Sequence, residues 1–537
     1  MLQNQKFLNI STFILLVLSV IWLKEINFLF YNSAKSPDYP EYIIYFEHFA
    51  NSDLKTGREH GLMYYYLHYL NSFFQYNSIS YSEVLMHKSI QEVNFWIYIY
   101  GLIGYFCLLK FYKFENSTIF ITLLFLNFFP ISIVLRLVLK PEILAFSLLP
   151  WFLFCIEMYK QKKEALYLYL SIPLFVSCIT LKGNILGLVC IYLFLTNLNI
   201  LSKIRKIHIL TILILVSALF LTVSLENSSA NGKNILDVQS GATKRANYDN
   251  KAPLNIIYKV NIYNLATSPI KHYHADSFIG ITLLETTGDY FDLYWNNDMS
   301  GYSMSSKEIV KLETSSEIKS PRFDKISNSL IVFTQKPTNL YLKRTVGLII
   351  SLIFYFLLFK MIFKNSEYRK YTTAFLLGGL LLVVHAITGF PVNNFDPSKG
   401  DTFKPHYYSF LFLLSTIFFI ASFVKENKKS IFYIIFYILI IIFLLGFPKT
   451  GTQDLNQNIS TFIEYSDFCS FENNIYKHVY DIENVNCLNN KISDDVKNST
   501  NKYFGDSLTI KPWNTFLILS SVASSIFIIV RRMYIKK

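Results

Sequence analysis

Phe7-Leu8-Asn9-Ile10-Ser11-Thr12-Phe13-Ile14-Leu15-Leu16-Val17-Leu18-Ser19-Val20-Ile21-Trp22-Leu23 contains no charged side chain. Its length is close to the roughly 20 residues that a helix needs to cross a bilayer. It lacks a strongly basic start and a small-residue cleavage site, so it reads as an uncleaved span rather than a signal peptide. Apolar stretches of similar length recur at 94–112, 118–135, 142–158, 165–181, 184–200, 207–224, 345–363, 371–389, 407–424, 431–447 and 513–530. Together they predict an α-helical polytopic membrane protein with about twelve transmembrane helices.

Composition agrees with that class. Of 537 residues, 52% are hydrophobic, 17% aromatic and only 16% charged, too apolar for a soluble chain with one core. The net charge of +13 sits largely in short connections between apolar stretches. These are Lys113, Lys160 to Lys163, Lys203 to Lys206, Lys364 to Lys370, Lys425 to Lys429 and Arg531 to Lys537. All fall on one side of the predicted topology. By the positive-inside rule that side is cytoplasmic, with both termini on it. The charge therefore serves orientation and lipid headgroups, and no nucleic-acid-binding motif is present.

The chain then divides into 1–224, a first membrane region whose outer loop is 24–93; 225–342, a large outer loop; 343–447, a second membrane region; 448–512, another outer loop; and 513–537, a last span and tail. The outer loops are expected to hold short helices and some β structure, for example alternating residues from Ser329 to Thr334. Of six cysteines, Cys107, Cys155, Cys178 and Cys190 lie in apolar runs and read as small hydrophobes. Cys469 and Cys487 lie in an outer loop and are expected to pair.

The first outer loop carries Ser36-Pro37-Asp38-Tyr39-Pro40-Glu41-Tyr42-Ile43-Ile44-Tyr45-Phe46-Glu47-His48. Pro40 is placed to open a helix. In that helix Glu41, Tyr45 and His48 share one face, and Ile43, Phe46 and Ala50 another. This predicts a short helix lying at the membrane surface, apolar side down.

Three further groups fall on the same outer side. Arg136, Lys140, Pro141 and Glu142 form a turn, with Lys182 in another. His272 to Phe278 runs on to Gly288-Asp289-Tyr290. Gly400-Asp401-Thr402-Phe403-Lys404-Pro405-His406-Tyr407-Tyr408 leads into a span. Singly, such residues often snorkel to headgroups or stay solvated. Together, carboxylates and cations beside a bilayer suit a lipid-linked phosphate and a hydroxyl awaiting activation. Cations neutralise a phosphate leaving group, and a carboxylate accepts the hydroxyl proton. Asp38, Glu41 and His48 also admit a divalent metal, though no spacing demands one.

This pattern resembles the GT-C superfamily of polytopic glycosyltransferases, which includes protein O-mannosyltransferases and bacterial aminoarabinose transferases. The resemblance rests on the acidic motif at Asp38 to Glu41, the Lys140-Pro141-Glu142 turn, Gly288-Asp289-Tyr290 and Lys404-Pro405-His406-Tyr407-Tyr408. It departs from members with adjacent acids, because Tyr39 follows Asp38; Glu41 is therefore a second candidate for the base. The resemblance implies a polyprenyl-phosphate-linked sugar as donor, a lipid, glycan or protein acceptor, and inverting displacement outside the membrane. Asp38 and Glu41 are then the catalytic candidates. Arg136, Lys140, Lys182 and Lys404 are candidate phosphate ligands, and Glu142, His274, Asp276, Asp289 and His406 complete the substrate-binding set. Asp38 is expected near Arg136 or Lys140. Rival readings are a polysaccharide polymerase or O-antigen ligase, and a transporter or flippase of envelope glycolipids. The last would be expected to carry charges within its spans.

Overall fold

A computed structural model describes residues 2–29, 39–58, 60–76, 83–201, 204–235, 258, 260–267, 277–287, 337–364, 368–387, 408–426 and 509–535. Among the described residues every regular element is a helix. In chain order they are α1 (Leu2–Leu29), α2 (Tyr39–Ala50), α3 (Met63–Tyr76), α4 (Glu83–Phe111), α5 (Asn116–Phe128), α6 (Pro130–Leu137), α7 (Glu142–Lys162), α8 (Ala165–Ile179) and α9 (Gly183–Leu201). After these come α10 (Lys206–Asn231), α11 (Ile262–Thr267), α12 (Phe278–Thr287), α13 (Pro337–Lys364), α14 (Arg369–Thr372), α15 (Ala374–Ile387), α16 (Ser409–Glu426) and α17 (Pro512–Ile535).

Seven described helices, α1, α4, α7, α10, α13, α16 and α17, contain segments long and apolar enough to cross a membrane. The chain is a helical membrane protein. Each apolar stretch read from the sequence falls on a helix, except 431–447, which lies outside the described residues. Seven of the twelve stretches are such helices among the described residues: α8, α15 and the apolar part of α9 (Gly183–Thr196) are shorter, 118–135 is broken, and 431–447 is not described. The β structure expected near Ser329 to Thr334 also lies outside the described residues.

The stretch at 118–135 is broken. α5 and α6 meet at 69°. Phe129 between them is extended, with φ −72° and ψ 127°. Pro130 explains this: its ring disfavours helical backbone in the preceding residue, while its fixed φ suits a first helical turn.

α7 forms the axis of the bundle and is buried along nearly its whole length. α4 lies against it with little space between the backbones. A Cβ on Gly101 would stand 3.0 Å from the Ser147 Cα. Ser147 Oγ donates to the Ile97 carbonyl at 2.6 Å, and Trp151 Nε1 to the Tyr100 carbonyl at 3.1 Å. Small residues and interhelical hydrogen bonds of this kind hold membrane helices together where burial in lipid gives little gain. By contrast α1, α10 and α17 expose Phe13, Ile214 and Phe516, apolar surface suited to acyl chains.

The two ends of the bundle differ. At one, the basic connections meet: Arg531 pairs with Glu164, Lys370 with Glu157 at 2.6 Å, and Lys364 with Glu426 at 2.8 Å. At the other sit α2 and α3, packed on each other. The expected surface helix is a correction here. Tyr45 and His48 on one face of α2 and Phe46 on the other are all buried. α3 covers one side, where the Tyr45 and Tyr65 rings stack at 4.2 Å. Later segments cover the rest: Thr509 N–H donates to the Phe49 carbonyl at 3.0 Å, and His48 Nδ1 lies 2.5 Å from the Leu54 carbonyl.

Candidate functional site

α2 and α3 roof over the link between α6 and α7, and that link is polar. Lys140 N–H donates to the Tyr64 hydroxyl at 3.1 Å, and Tyr64 in turn donates to Asn94 Oδ1 at 2.8 Å. Asn94 Nδ2 donates to the Val138 carbonyl at 3.1 Å and Gln91 Nε2 to the Leu137 carbonyl at 2.5 Å. The Leu137 carbonyl ends α6 and would otherwise lack a partner, while the Val138 carbonyl just beyond it also accepts from the Lys140 N–H at 3.0 Å. α3 and α4 therefore strap the turn in place and fix where Lys140 and Glu142 stand.

Glu142 opens α7 and is fully buried. Lys182, in the turn between α8 and α9, reaches it at 2.9 Å across 40 residues of sequence. The second carboxylate oxygen of Glu142 has no hydrogen-bond partner among the described residues. Lys140 is also buried, with its ammonium 5.7 Å from the centre of the Tyr42 ring. That ring packs against Tyr65 and His60 at 5.4 and 5.5 Å. The Tyr65 hydroxyl is buried without a partner among the described residues. Burial, reinforced by neighbouring phenols and Glu142, pushes its pKa well up.

His68 sits one turn along α3 from Tyr64, the rings 4.5 Å apart. Burial holds its pKa down to about 3, with Asn94 close enough to oppose the shift. His48 is held down to about 4, first by burial and then by Lys511 and Lys55, against the hydrogen bond to Leu54. Both rings are neutral near pH 7.

Arg136 is fully buried but faces other neighbours. Its Nη2 donates to the Asn127 carbonyl at 3.3 Å, at the C-terminal end of α5. Its guanidinium lies 4.8 Å from the centre of the Tyr98 ring. These contacts hold the α5–α6 bend. Neither Arg136 nor Lys140 snorkels to a headgroup.

The fold thus gathers Lys140, Glu142 and Lys182 beneath α2, with Arg136 in the adjoining bend. Glu41 belongs to the first turn of α2, one residue before Tyr42; its side chain is not among those described. Asp38, His274, Asp276, Asp289, Lys404 and His406 lie outside the described residues, as do Cys469 and Cys487. The described residues contain no cluster of three metal-ligating His, Cys, Asp or Glu side chains.

No family model, curated protein or solved structure matches this chain. The site must be read from its own chemistry. Among its described residues are two lysines, one buried carboxylate, the Tyr65 phenol without a hydrogen-bond partner among the described residues and the neutral His68 ring. In a region of low dielectric, such fixed cations favour an anion far more than they would in water.

Sequence reading missed Tyr42, Tyr64, Tyr65, His68, Gln91 and Asn94. A signal existed for α3. Tyr64, His68 and Ser72 recur at helical spacing, and Tyr65 and Tyr69 form a neighbouring row.

Proposed function

We propose that this chain is an integral-membrane glycosyltransferase. It would move a sugar from a polyprenyl-phosphate donor to an acceptor hydroxyl outside the membrane by inverting displacement. The observation that carries this reading is the Lys140–Glu142–Lys182 group, with Lys140 and Glu142 buried and Lys182 partly so, lying beneath the helix that Tyr39 and Pro40 begin. A donor of this kind needs cations at a phosphate leaving group and a carboxylate at the attacking hydroxyl, one sugar's width apart.

In this reading Asp38 is the base, with Glu41 as the alternative. Lys140 and Lys182 neutralise the phosphate. Glu142 keeps Lys182 aimed, and Arg136 supports the bend that presents Lys140. His274, Asp276, Asp289, Lys404 and His406 remain candidates for sugar, acceptor and phosphate contacts. A divalent metal is not required, because the lysines supply the positive charge. The basic end of the bundle faces the cytoplasm by the positive-inside rule, which puts α2 and α3 on the extracytoplasmic side. A bacterial plasma membrane would suit this arrangement.

Membranes containing the full chain, offered a panel of radiolabelled polyprenyl-phosphate sugars, test the reading. Transfer of label from at least one donor is expected. Absence of transfer from every donor, with the protein folded, would remove the proposal.

A further inference from the structure

At the end of the bundle opposite the candidate site lies a cavity of about 560 Å³. α7 separates the two: its 21 residues rise about 30 Å. The cavity lies between the end of α4, the start of α5, the end of α7 and the far end of α17. Its charged lining consists of Lys110, Lys113, Lys162, Arg532 and Glu115, four cations against one anion. Phe114 is among its apolar walls.

Two of those cations face it without a protein anion. The Lys113 and Lys162 side chains are exposed, and neither forms an ion pair or hydrogen bond with another described residue. Lys110 and Arg532 are more constrained. Lys110 Nζ donates to Asn116 Oδ1 at 2.5 Å, and Arg532 Nη1 donates to the Cys107 carbonyl at 3.1 Å. Arg532 also stacks its guanidinium 5.2 Å from the centre of the Phe154 ring.

Orientation in a membrane explains a basic end, but not a basic cavity. Lys113 and Lys163, which close α4 and α7, have φ of 59° and 58°. Among the described residues they are the only non-glycine residues with positive φ. A helix ending in this left-handed conformation usually takes glycine, because a side chain there is strained by about 1 kcal/mol. Of the two, only Lys113 lines this cavity; Lys163 lies outside the lining, its ammonium 5.8 Å from the centre of the Tyr159 ring. Glu115, the residue that precedes α5, stands on the same wall.

We propose that this cavity is a second site, which binds a phosphate-bearing ligand. Lys113 and Lys162 contact the phosphate, Lys110 and Arg532 set the field around it, and Phe114 meets the rest of the molecule. The volume lies within the range of small-ligand pockets and exceeds what a lone phosphate needs. The phosphate can belong to a lipid headgroup of the same leaflet or to a soluble compound. Both are recognised by the same chemistry.

Full-length protein in neutral detergent would be titrated with dioctanoyl phosphatidic acid, with inorganic pyrophosphate and with dioctanoyl phosphatidylcholine. Binding of the first, the second or both is expected, and which one binds identifies the source of the phosphate. The Lys113→Gln/Lys162→Gln double variant should bind at least about tenfold more weakly. It keeps the same backbone strain and should melt like the wild type. Lys163→Gln, outside the cavity lining, should bind normally. The site is refuted if neither phosphate probe binds better than phosphatidylcholine. It is equally refuted if the double variant, still folded, binds as the wild type does.

Discussion

α7 carries a buried carboxylate near each end, and the two are treated differently. Glu157 accepts from two lysines, Lys160 at 2.7 Å and Lys370 at 2.6 Å. Lys370 is further enclosed by Tyr112 and Tyr371, its ammonium 5.7 and 4.7 Å from their ring centres. Burial lowers the pKa of Lys370 to about 8, against the pull of Glu157. This is a closed lock, fastening the short helix α14 to the axis of the bundle. Glu142 has one lysine, one oxygen without a partner among the described residues, and Lys140 close by in the same turn. Low-dielectric polar groups left incomplete are costly. On the proposed reading, that difference arises because the second end is arranged for donor binding rather than for stability.

The largest expected effect tests the lock. Glu157→Gln strands Lys160 and Lys370 and should cost about 3 kcal/mol, at the lower edge for a broken buried pair because both lysines are partly exposed. Glu142→Gln strands one lysine and should cost less, while reducing sugar transfer more. Thermal melts in detergent, set beside transfer assays, compare the two. Equal loss of stability with equal loss of transfer would erase the distinction between lock and site.

Gly61 sharpens the comparison next. Its N–H donates to the Leu181 carbonyl at 2.8 Å, beside Lys182, and a Cβ there would stand only 2.0 Å from the Thr180 carbonyl oxygen. Gly61→Ala must push the first-loop segment off the α8–α9 turn, at an expected cost of about 2 kcal/mol. Transfer should fall with it, since Lys182 moves. An unchanged melt would show that the two segments do not pack as described.

The smallest of these effects is in pH. His48 and His68 have folded pKa values of about 4 and about 3, below the ordinary 6.5. Between those limits the unfolded chain binds more protons. Their contribution to stability is therefore complete above pH 6.5 and is lost progressively as pH falls toward 4 and then 3. Hydrogen-exchange protection of α2 and α3, corrected for intrinsic rates, should fall over this window relative to α7. A His48→Asn/His68→Gln variant should flatten that profile.

Much of the helical architecture was legible in the sequence, because apolar runs of bilayer length allow few other structures. The break at Phe129 went unread, because unbroken hydropathy over 118–135 hides it although Pro130 stands within the run. The candidate site was only half legible. Lys140, Glu142 and Lys182 could be named as polar residues next to spans, but not as a buried group. Their burial depends on α2 and α3, whose tyrosine-rich faces read equally well as interfacial aromatics. The Glu142–Lys182 pair joins turns 40 residues apart, and local pattern carries no trace of that contact.

The central claim is that the end of the bundle beneath α2 handles a phosphate leaving group while the first loop supplies the base. The direct measurement is donor affinity and turnover, taken together, for Asp38→Asn and Lys140→Ala on the full chain with the donor identified in the panel. Asp38→Asn should bind donor normally and lose about 10²-fold or more in turnover, whereas Lys140→Ala should weaken donor binding about tenfold. If Glu41→Gln behaves as expected for Asp38→Asn, the base is Glu41 and the account stands. Full turnover in both acid variants, with normal donor binding in Lys140→Ala, would contradict it.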